Sequence, residues 1–463
     1  MLKLDSHILR AYDIRGVVGQ SLTVDVAFAV GRAFATIARE RLGRQPMFCS
    51  AYDGRVSSPH LEQALVNGMV ASGADVLRLG LGPTPMLYFG VNVEQRDGGI
   101  MVTGSHNPPE YNGFKLMLGQ LPFWDEDIEV LGKLAQSDSF CSVQGEWQKI
   151  SIEKKYVDRL RLEYDFDVPY SVVWDCGNGA SGSVVRALTH KLPGRHVVLN
   201  EIIDGTFPSH HPDPTVPANL EQLIEVVKSE EADLGVAFDG DGDRIGVVDH
   251  QGTIIWGDQL LTLFAQDLLK DSPGESIIAD VKSSSVFFDE VKRCGGTPIM
   301  WRTGHSPIKK KMADVSAPLA GEMSGHIFFA DRYYGYDDAL YAAVRLLGIL
   351  AKSCTSLFNL CETLPKTIST PEIRFPCDDS EKFRLVNKVR KSAYAIPGAD
   401  INELDGVRVT TTDGWWLLRA SNTQPVLVVR FESWSDDGMM RLKDTLGKLL
   451  AETGIDYSMV ESS

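Results

Sequence analysis

Cysteine is scarce and unpatterned. The chain has seven in 463 residues, Cys49, Cys141, Cys176, Cys294, Cys354, Cys361 and Cys377. The number is odd, the spacings are long, and no Cys-x-x-Cys occurs. That excludes a disulfide framework and a zinc site and fits reduced thiols in the cytoplasm. Positive charge is also in deficit. Lys and Arg number 46 against 62 Asp and Glu, a formal charge of −16. A general binder of nucleic acid or of anionic membranes rests on basic surface, so neither is expected as a partner. An anionic small molecule stays open, because a site needs only a few local cations. Long apolar runs are missing too. The most apolar helical stretch, 339–351, is interrupted by Arg345 and is too short to span a bilayer. The opening residues Met1 to His7 hold no apolar segment of a secretory signal. The expectation is a soluble, cytoplasmic protein.

What is present is an ordinary globular composition, 43% hydrophobic and 23% charged. The length predicts three domains or four. Short β-rich runs alternate with longer helical patterns, which reads as α/β with largely parallel sheets. Three runs share a form: Met47 to Tyr52 ends at Asp53-Gly54-Arg55, Val172 to Trp174 at Asp175-Cys176-Gly177, and Ile277 to Ala279 at Asp280-Val281-Lys282. Their spacing suggests three related α/β units. Beyond them, a proline-punctuated stretch from Leu364 to Pro376 suits a linker. Val407 to Thr412 and Trp415 to Arg419 flank Asp413-Gly414, the signature of a hairpin with a type I′ turn. A strand from Val426 and a helix from about Asp436 complete a small α+β domain. The expected boundaries are 1–150, 151–253, 254–366 and 367–463.

Four segments carry chemistry. In Asp239-Gly240-Asp241-Gly242-Asp243-Arg244, three carboxylates alternate in a loop between two apolar strands. They repel one another unless a cation such as Mg²⁺ joins them. An EF-hand is excluded, since it needs Gly at Arg244 and Glu at His250 and lies between helices. In Thr103-Gly104-Ser105-His106-Asn107-Pro108 a serine follows a strand, placed to be a nucleophile or phosphoryl carrier; the bland reading is an Asn-Pro turn. Gly321-Glu322-Met323-Ser324-Gly325-His326 sets short polar side chains between glycines, suited to a polyol. Arg419-Ala420-Ser421-Asn422-Thr423-Gln424-Pro425, with Arg430 on the next strand, offers a phosphate cradle. Tyr12, Arg15, Lys115, Lys282 and His305 also fall in loops.

In this order and spacing, and over nearly the whole chain, the segments resemble the α-D-phosphohexomutases, most closely the bacterial phosphomannomutase/phosphoglucomutase group. The resemblance implies three similar α/β domains with mixed, largely parallel sheets and a smaller C-terminal α+β domain around a central cleft. It implies a phosphoserine at Ser105 and Mg²⁺ on Asp239, Asp241 and Asp243 with the serine phosphate. Sugar contacts fall to Glu322 and Ser324, and the distal phosphate to Arg419, Ser421, Asn422 and Thr423, with Tyr12, Lys282, His305 and Arg430 as further binding residues. Ser105, His106, Arg15, Lys115, Arg244 and His326 are the catalytic candidates, and the general base among them stays open. The implied reaction interconverts hexose 1-phosphate and hexose 6-phosphate, with glucose 1,6-bisphosphate or mannose 1,6-bisphosphate as the turning intermediate. A monomer with only small-molecule partners is expected. A phosphoglucosamine mutase, a Mg-dependent serine phosphatase and a non-catalytic sugar-phosphate module are the rivals. Met323, where glucosamine enzymes usually carry Gln, disfavours the first.

Overall fold

Runs such as Gly98–Val102 and Leu234–Phe238 are apolar and buried at every position, a pattern that only a sheet covered on both faces accommodates. The computed structural model describes residues 4–137, 139–378, 380–421 and 426–454. Among these residues the strands form four sheets.

In the first sheet Met47–Tyr52 runs parallel to Asp75–Leu81 on one side and Gly98–Val102 on the other, and Tyr111–Leu118 returns antiparallel. In the second, Tyr170–Asp175 lies between the parallel Gly194–Leu199 and Leu234–Phe238, and Ile245–Asp249 returns. In the third, Ser276–Asp280 lies between Thr297–Trp301 and Leu319–Gly321, and Ile327–Phe329 returns. One strand order is thus used three times, and the repeat suggested by Asp53, Asp175 and Asp280 is a repeat of topology. Each of these aspartates ties down the loop beyond its strand. Asp53 accepts from the Arg55 N–H and the Ser58 Oγ, Asp175 from the Gly177 N–H, and Asp280 from the Ser283 Oγ and the Thr303 Oγ1.

The helix Ala339–Ser353, which looked like the most apolar run in the sequence, joins these units. It is buried from Ala339 to Ala351, packs on the helices Glu153–Arg161 and Gly257–Asp271, and starts at the cap Asp338, whose Oδ1 accepts from the Tyr341 N–H at 2.9 Å. Arg345 is buried within it because Asp331 takes its Nη1 at 3.0 Å. Among the described residues no helix is long and apolar enough to cross a membrane, and all seven cysteines are free.

The fourth sheet is an antiparallel meander of Asp400–Asn402, Val407–Thr411, Gly414–Ala420 and Val426–Ser433, backed by the helices Lys382–Ala393 and Asp436–Ala451. Two expectations change here. The hairpin forms, but Thr411 pairs with Gly414, so Thr412 and Asp413 make the turn. Neither has positive φ, which type I′ requires; only Gly414 does, at 132°. The proline-punctuated stretch is also more than a linker. Its strands Ile368–Ser369 and Ile373–Pro376 pair with Val426–Ser433, and prolines are tolerated because that side of the sheet is an edge. Two buried arginines dock this unit on the third: Arg408 Nη1 donates to the Val281 and Ser283 carbonyls at 2.7 and 2.8 Å, and Arg430 Nη1 to that of Lys282.

Candidate active site

Three of the four motif loops occupy one topological position. Loops 103–110, 239–244 and 322–326 each join the third strand of a sheet to the antiparallel fourth. Because the strand order repeats, the loops emerge at equivalent edges, and the packing of the units brings them together. The Ser105 Oγ donates to Asp239 Oδ2 at 2.9 Å. The Ile245 N–H donates to the Gly325 carbonyl at 3.1 Å, and Arg244 Nε to His326 Nε2 at 2.9 Å. Two glycines permit this approach. A Cβ on Gly240 would stand 2.4 Å from the Ser105 carbonyl oxygen, and one on Gly325, where φ is 91°, 2.3 Å from that of Ile245.

Ser105 is buried and held in the left-handed region at φ 49°, a conformation that costs energy and persists only where the surroundings fix it. The fixing group is Arg55, which the sequence reading passed over. Its guanidinium is fully buried and donates to four loop carbonyls: Ser105 at 2.8 Å, Asn107 at 2.6 Å, Pro108 at 2.5 Å and Tyr111 at 2.9 Å. Asp53 takes its Nε at 3.1 Å and also accepts from the Thr103 Oγ1 and the Gly104 N–H.

The three aspartates of loop 239–244 are completely buried, and their carboxylates converge closely enough to hold one metal ion. Burial and the charges of Asp241 and Asp243 push the Asp239 carboxyl well above the usual carboxylate range. Lys115 offsets part of that repulsion, with Nζ 2.7 Å from Asp241 Oδ2 and 2.5 Å from Asp243 Oδ2. Burial works against its charge, yet these two partners hold it protonated, well above the ordinary lysine value. Asp241 Oδ1 and Asp243 Oδ1 are buried and have no hydrogen-bond partner among the described residues. An all-oxygen donor set with orphaned carboxylate oxygens fits a hard divalent cation. Thr84, also missed in the sequence, fastens the loop: its Oγ1 donates to Asp241 Oδ2 at 2.5 Å and its N–H to the Asp241 carbonyl at 2.8 Å.

The other candidates gather around this centre. Arg15 donates to Asp13 Oδ2 at 2.5 Å and to Asn107 Oδ1 at 3.0 Å, which sets it beside the serine loop. His106 Nδ1 lies 2.9 Å from Asp213 Oδ2. Burial and the neighbouring Arg244 push this imidazole down to about 4 despite Asp213, so it is neutral at pH 7. The His305 ring lies tilted to that of His326 at 5.8 Å between centroids and edge-on to that of Tyr12 at 6.3 Å. Burial, then Lys309, holds its imidazole well below the usual value. The Tyr12 hydroxyl donates to the Thr303 carbonyl at 2.9 Å, closing the first unit on the third. Glu322 accepts from the Gly304 N–H at 3.1 Å and from the Ser324 Oγ at 3.0 Å.

The fourth unit contributes Arg419, whose Nη2 lies 2.9 Å from Asp405 Oδ2, an oxygen that also accepts from the Thr303 N–H. Lys282 reaches across to Glu372 Oε1 at 2.8 Å. Lys382 Nζ donates to the Ser421 carbonyl at 2.5 Å. Asn422 and Thr423 lie outside the described residues. Arg430 Nη1 lies 3.3 Å from Asp258 Oδ2, and its guanidinium packs near the ring of Trp415.

Comparison with known proteins agrees with this arrangement. Residues 6–140, 154–252 and 256–368 match sequence profiles for the alpha/beta/alpha domains I, II and III of phosphoglucomutase/phosphomannomutase, and 372–448 matches the profile for the C-terminal domain. A Pseudomonas aeruginosa phosphomannomutase/phosphoglucomutase is 45% identical over 441 residues, 95% of this chain and 94% of that one. A Neisseria gonorrhoeae phosphoglucomutase is 42% identical over 96% of each chain. The crystal structure of a phosphoglucomutase/phosphomannomutase family protein from Burkholderia thailandensis superposes with a TM-score of 0.91 at 42% identity, covering 97% of this chain and 98% of that one. With four consecutive domain matches and near-complete relatives, the chain belongs to the phosphoglucomutase/phosphomannomutase family.

Proposed function

We propose that the protein is a cytoplasmic, monomeric phosphohexomutase that interconverts hexose 1-phosphate and hexose 6-phosphate, with mannose and glucose as the sugars. The observation that carries this reading is the 2.9 Å bond between the Ser105 Oγ and Asp239, inside a buried cluster of three carboxylates and Lys115. A serine hydroxyl beside a cation site is what a phosphoryl carrier needs, since phosphoryl transfer depends on positioning and charge neutralisation more than on other covalent help. The names of the relatives at 42–45% identity, phosphomannomutase/phosphoglucomutase and phosphoglucomutase, support the same activity.

In this reading Ser105 starts as a phosphoserine. The sugar hydroxyl attacks phosphorus, the bond to the Ser105 Oγ breaks, and the hydroxyl proton leaves to a base. The product is a 1,6-bisphosphate, which turns end for end and returns its other phosphoryl group to Ser105. Asp239, Asp241 and Asp243 hold Mg²⁺, which when bound supplies Lewis-acid stabilisation of phosphoryl oxygens. Lys115 and Arg244 steady the charge of the transferring group. Glu322 and Ser324 bind sugar hydroxyls. Arg419, Ser421, Asn422, Thr423 and Lys282 hold the distal phosphate, with Tyr12 and His305 closing the cleft against water.

Purified protein with Mg²⁺, glucose 1-phosphate and trace glucose 1,6-bisphosphate is the test, with glucose 6-phosphate followed through a coupled dehydrogenase. Conversion that disappears in Ser105→Ala is the expected result. Release of inorganic phosphate without conversion, or conversion indifferent to Ser105→Ala, would sink the proposal. The same assay with mannose and glucosamine phosphates ranks the sugars.

A further inference from the structure

The turn 281–283 leads from the strand Ser276–Asp280 to the helix Ser285–Arg293. It carries Lys282, which in the proposed function holds the distal phosphate. Val281, Lys282 and Ser283 are all buried. The carbonyls of a buried turn are out of reach of water, so each needs a donor or costs energy. Here the donors come from the fourth unit. Arg408 Nη1 donates to the Val281 and Ser283 carbonyls at 2.7 and 2.8 Å, and Arg430 Nη1 to that of Lys282. The next two N–H groups are held as well. That of Ser284 donates to Asp258 Oδ2 at 2.9 Å, and that of Ser285 to Glu432 Oε1 at 2.8 Å.

The two arginines form one device. Arg408, Leu417 and Arg430 stand level across three neighbouring strands, and so on one face of the fourth sheet. Trp415 shares that face, and the centre of its ring lies 3.7 Å from the guanidinium carbon of Arg408 and 5.7 Å from that of Arg430. Its Nε1 donates to Glu432 Oε1 at 2.7 Å. With the main chain pinned, the place of the Lys282 head depends on its own side-chain torsions alone. Nζ lies 2.8 Å from Glu372 Oε1 and 3.7 Å from Asp280 Oδ2. Burial works against its charge, yet Glu372, then Asp280 and Glu322, hold it protonated above the ordinary lysine value, and Arg419 is close enough to oppose them. Lys282 stands two residues past Asp280 as Arg55 stands two past Asp53. Arg55 is itself a clamp within its own unit, whereas Lys282 is clamped from another.

We propose that Arg408 and Arg430 are positioning residues that fix the turn 281–283 and so hold Lys282 at the phosphate site, which makes this cation of the third unit effective only when the fourth unit is docked. This rests on the reading of Lys282 as a phosphate ligand; the clamp on the main chain does not. The competing role is docking alone. Loosening the arginines would then weaken everything the fourth unit brings, Arg419 included, rather than Lys282 in particular.

A double-mutant cycle in the full chain separates the two, with kcat/KM for glucose 1-phosphate read by the coupled assay. Lys282→Ala loses a charge-assisted bond to phosphate and is expected to lower kcat/KM about 10- to 100-fold. Arg408→Met is expected to cost about 10-fold in the wild type and again in Arg419→Ala, but less than about twofold in Lys282→Ala. Hydrogen exchange read by mass spectrometry needs no turnover. A peptide across 281–287 is expected to exchange at least about tenfold faster in Arg408→Met, while the helix Asp436–Ala451 keeps its wild-type rate. Equal losses in the wild-type and Lys282→Ala backgrounds overturn the proposal. So does exchange that is unchanged at 281–287, or accelerated equally through the fourth unit. Should Arg408→Met not fold, Arg408→Lys, which keeps the charge without the fork, goes through the same cycle. A wild type inactive on every hexose phosphate would refute the function and with it the role of Lys282, while faster exchange at 281–287 would still establish the clamp.

Discussion

Ser105 and Asp239 stand 134 positions apart in the chain and belong to different sheets, yet the Oγ of one donates to the Oδ2 of the other at 2.9 Å. Each sits on a hairpin loop at the same place in its own α/β unit, so the contact exists only when the two units are correctly docked.

The first prediction concerns that contact. Ser105→Ala is expected to lower turnover roughly 10³-fold or more. Intact mass spectrometry of the wild type treated with the bisphosphate is expected to show one added phosphoryl group, absent in the variant. A phosphorylated Ser105→Ala would place the carrier elsewhere.

Removing the buried guanidinium of Arg55 releases four loop carbonyls and leaves Asp53 buried without its partner. Arg55→Met is expected to cost about 3–5 kcal/mol, read as a lower denaturant midpoint at unchanged slope. Turnover should fall with it, because the left-handed conformation at Ser105 loses its support. Unchanged stability would mean that the loop is fixed by other means.

Asp239→Asn tests the metal reading from both sides. It removes one of three mutually repelling buried carboxylates while keeping an oxygen that the Ser105 Oγ can reach. In the presence of EDTA the variant is expected to melt above the wild type. With Mg²⁺ the order should reverse, because only the wild type gains binding energy in its folded state. Identical melting in EDTA and Mg²⁺ for the wild type would count against a cation at this loop.

Asp338 makes stability depend on pH. Burial pushes its carboxyl up to about 6, against the bonds from the Tyr341 N–H and the hydroxyls of Tyr333 and Tyr156. The folded state therefore binds the proton more tightly than the unfolded one. Its contribution is complete below about pH 4 and is lost as pH rises through about 6. The shift from 3.8 to about 6 corresponds to about 3 kcal/mol. Asp338→Asn, which mimics the protonated acid, is expected to gain on the wild type by that order between pH 4 and pH 7 in equilibrium unfolding. Parallel pH profiles would show that Asp338 is ionised throughout.

The sequence made the metal loop legible because three alternating carboxylates have few physical alternatives, and it made the parallel strands legible because each is a short apolar run ending in Asp. It did not reveal Arg55. The residue was visible beside Asp53, but its role depends on carbonyls some 50 positions onward, and an acceptor on the main chain leaves no mark in the side-chain sequence. Thr84 and Asp213 were missed for a related reason: each acts through a partner, Asp241 or His106, that only the docking of units supplies. Arg430, opposite Leu417 and so diagonal to Arg419 on the same face of the sheet, meets Asp258 and the Lys282 carbonyl, partners that only the docking of the fourth unit on the third supplies.

The threefold use of one strand order divides labour within the chain. The sheets are interchangeable mountings, and the hairpins they carry are tools: in the proposed function, a nucleophile, a cation grip and a sugar contact. Descent from a duplicated unit would place most of the change at the hairpin tips, with Arg15, Lys115 and Arg419 the side chains that the strands themselves supply. The same division gives an engineer a rule. Changing Glu322, Met323 and Ser324 should retune which sugar is accepted, while Gly325 and His326, which hold the loop against Ile245 and Arg244, stay as they are.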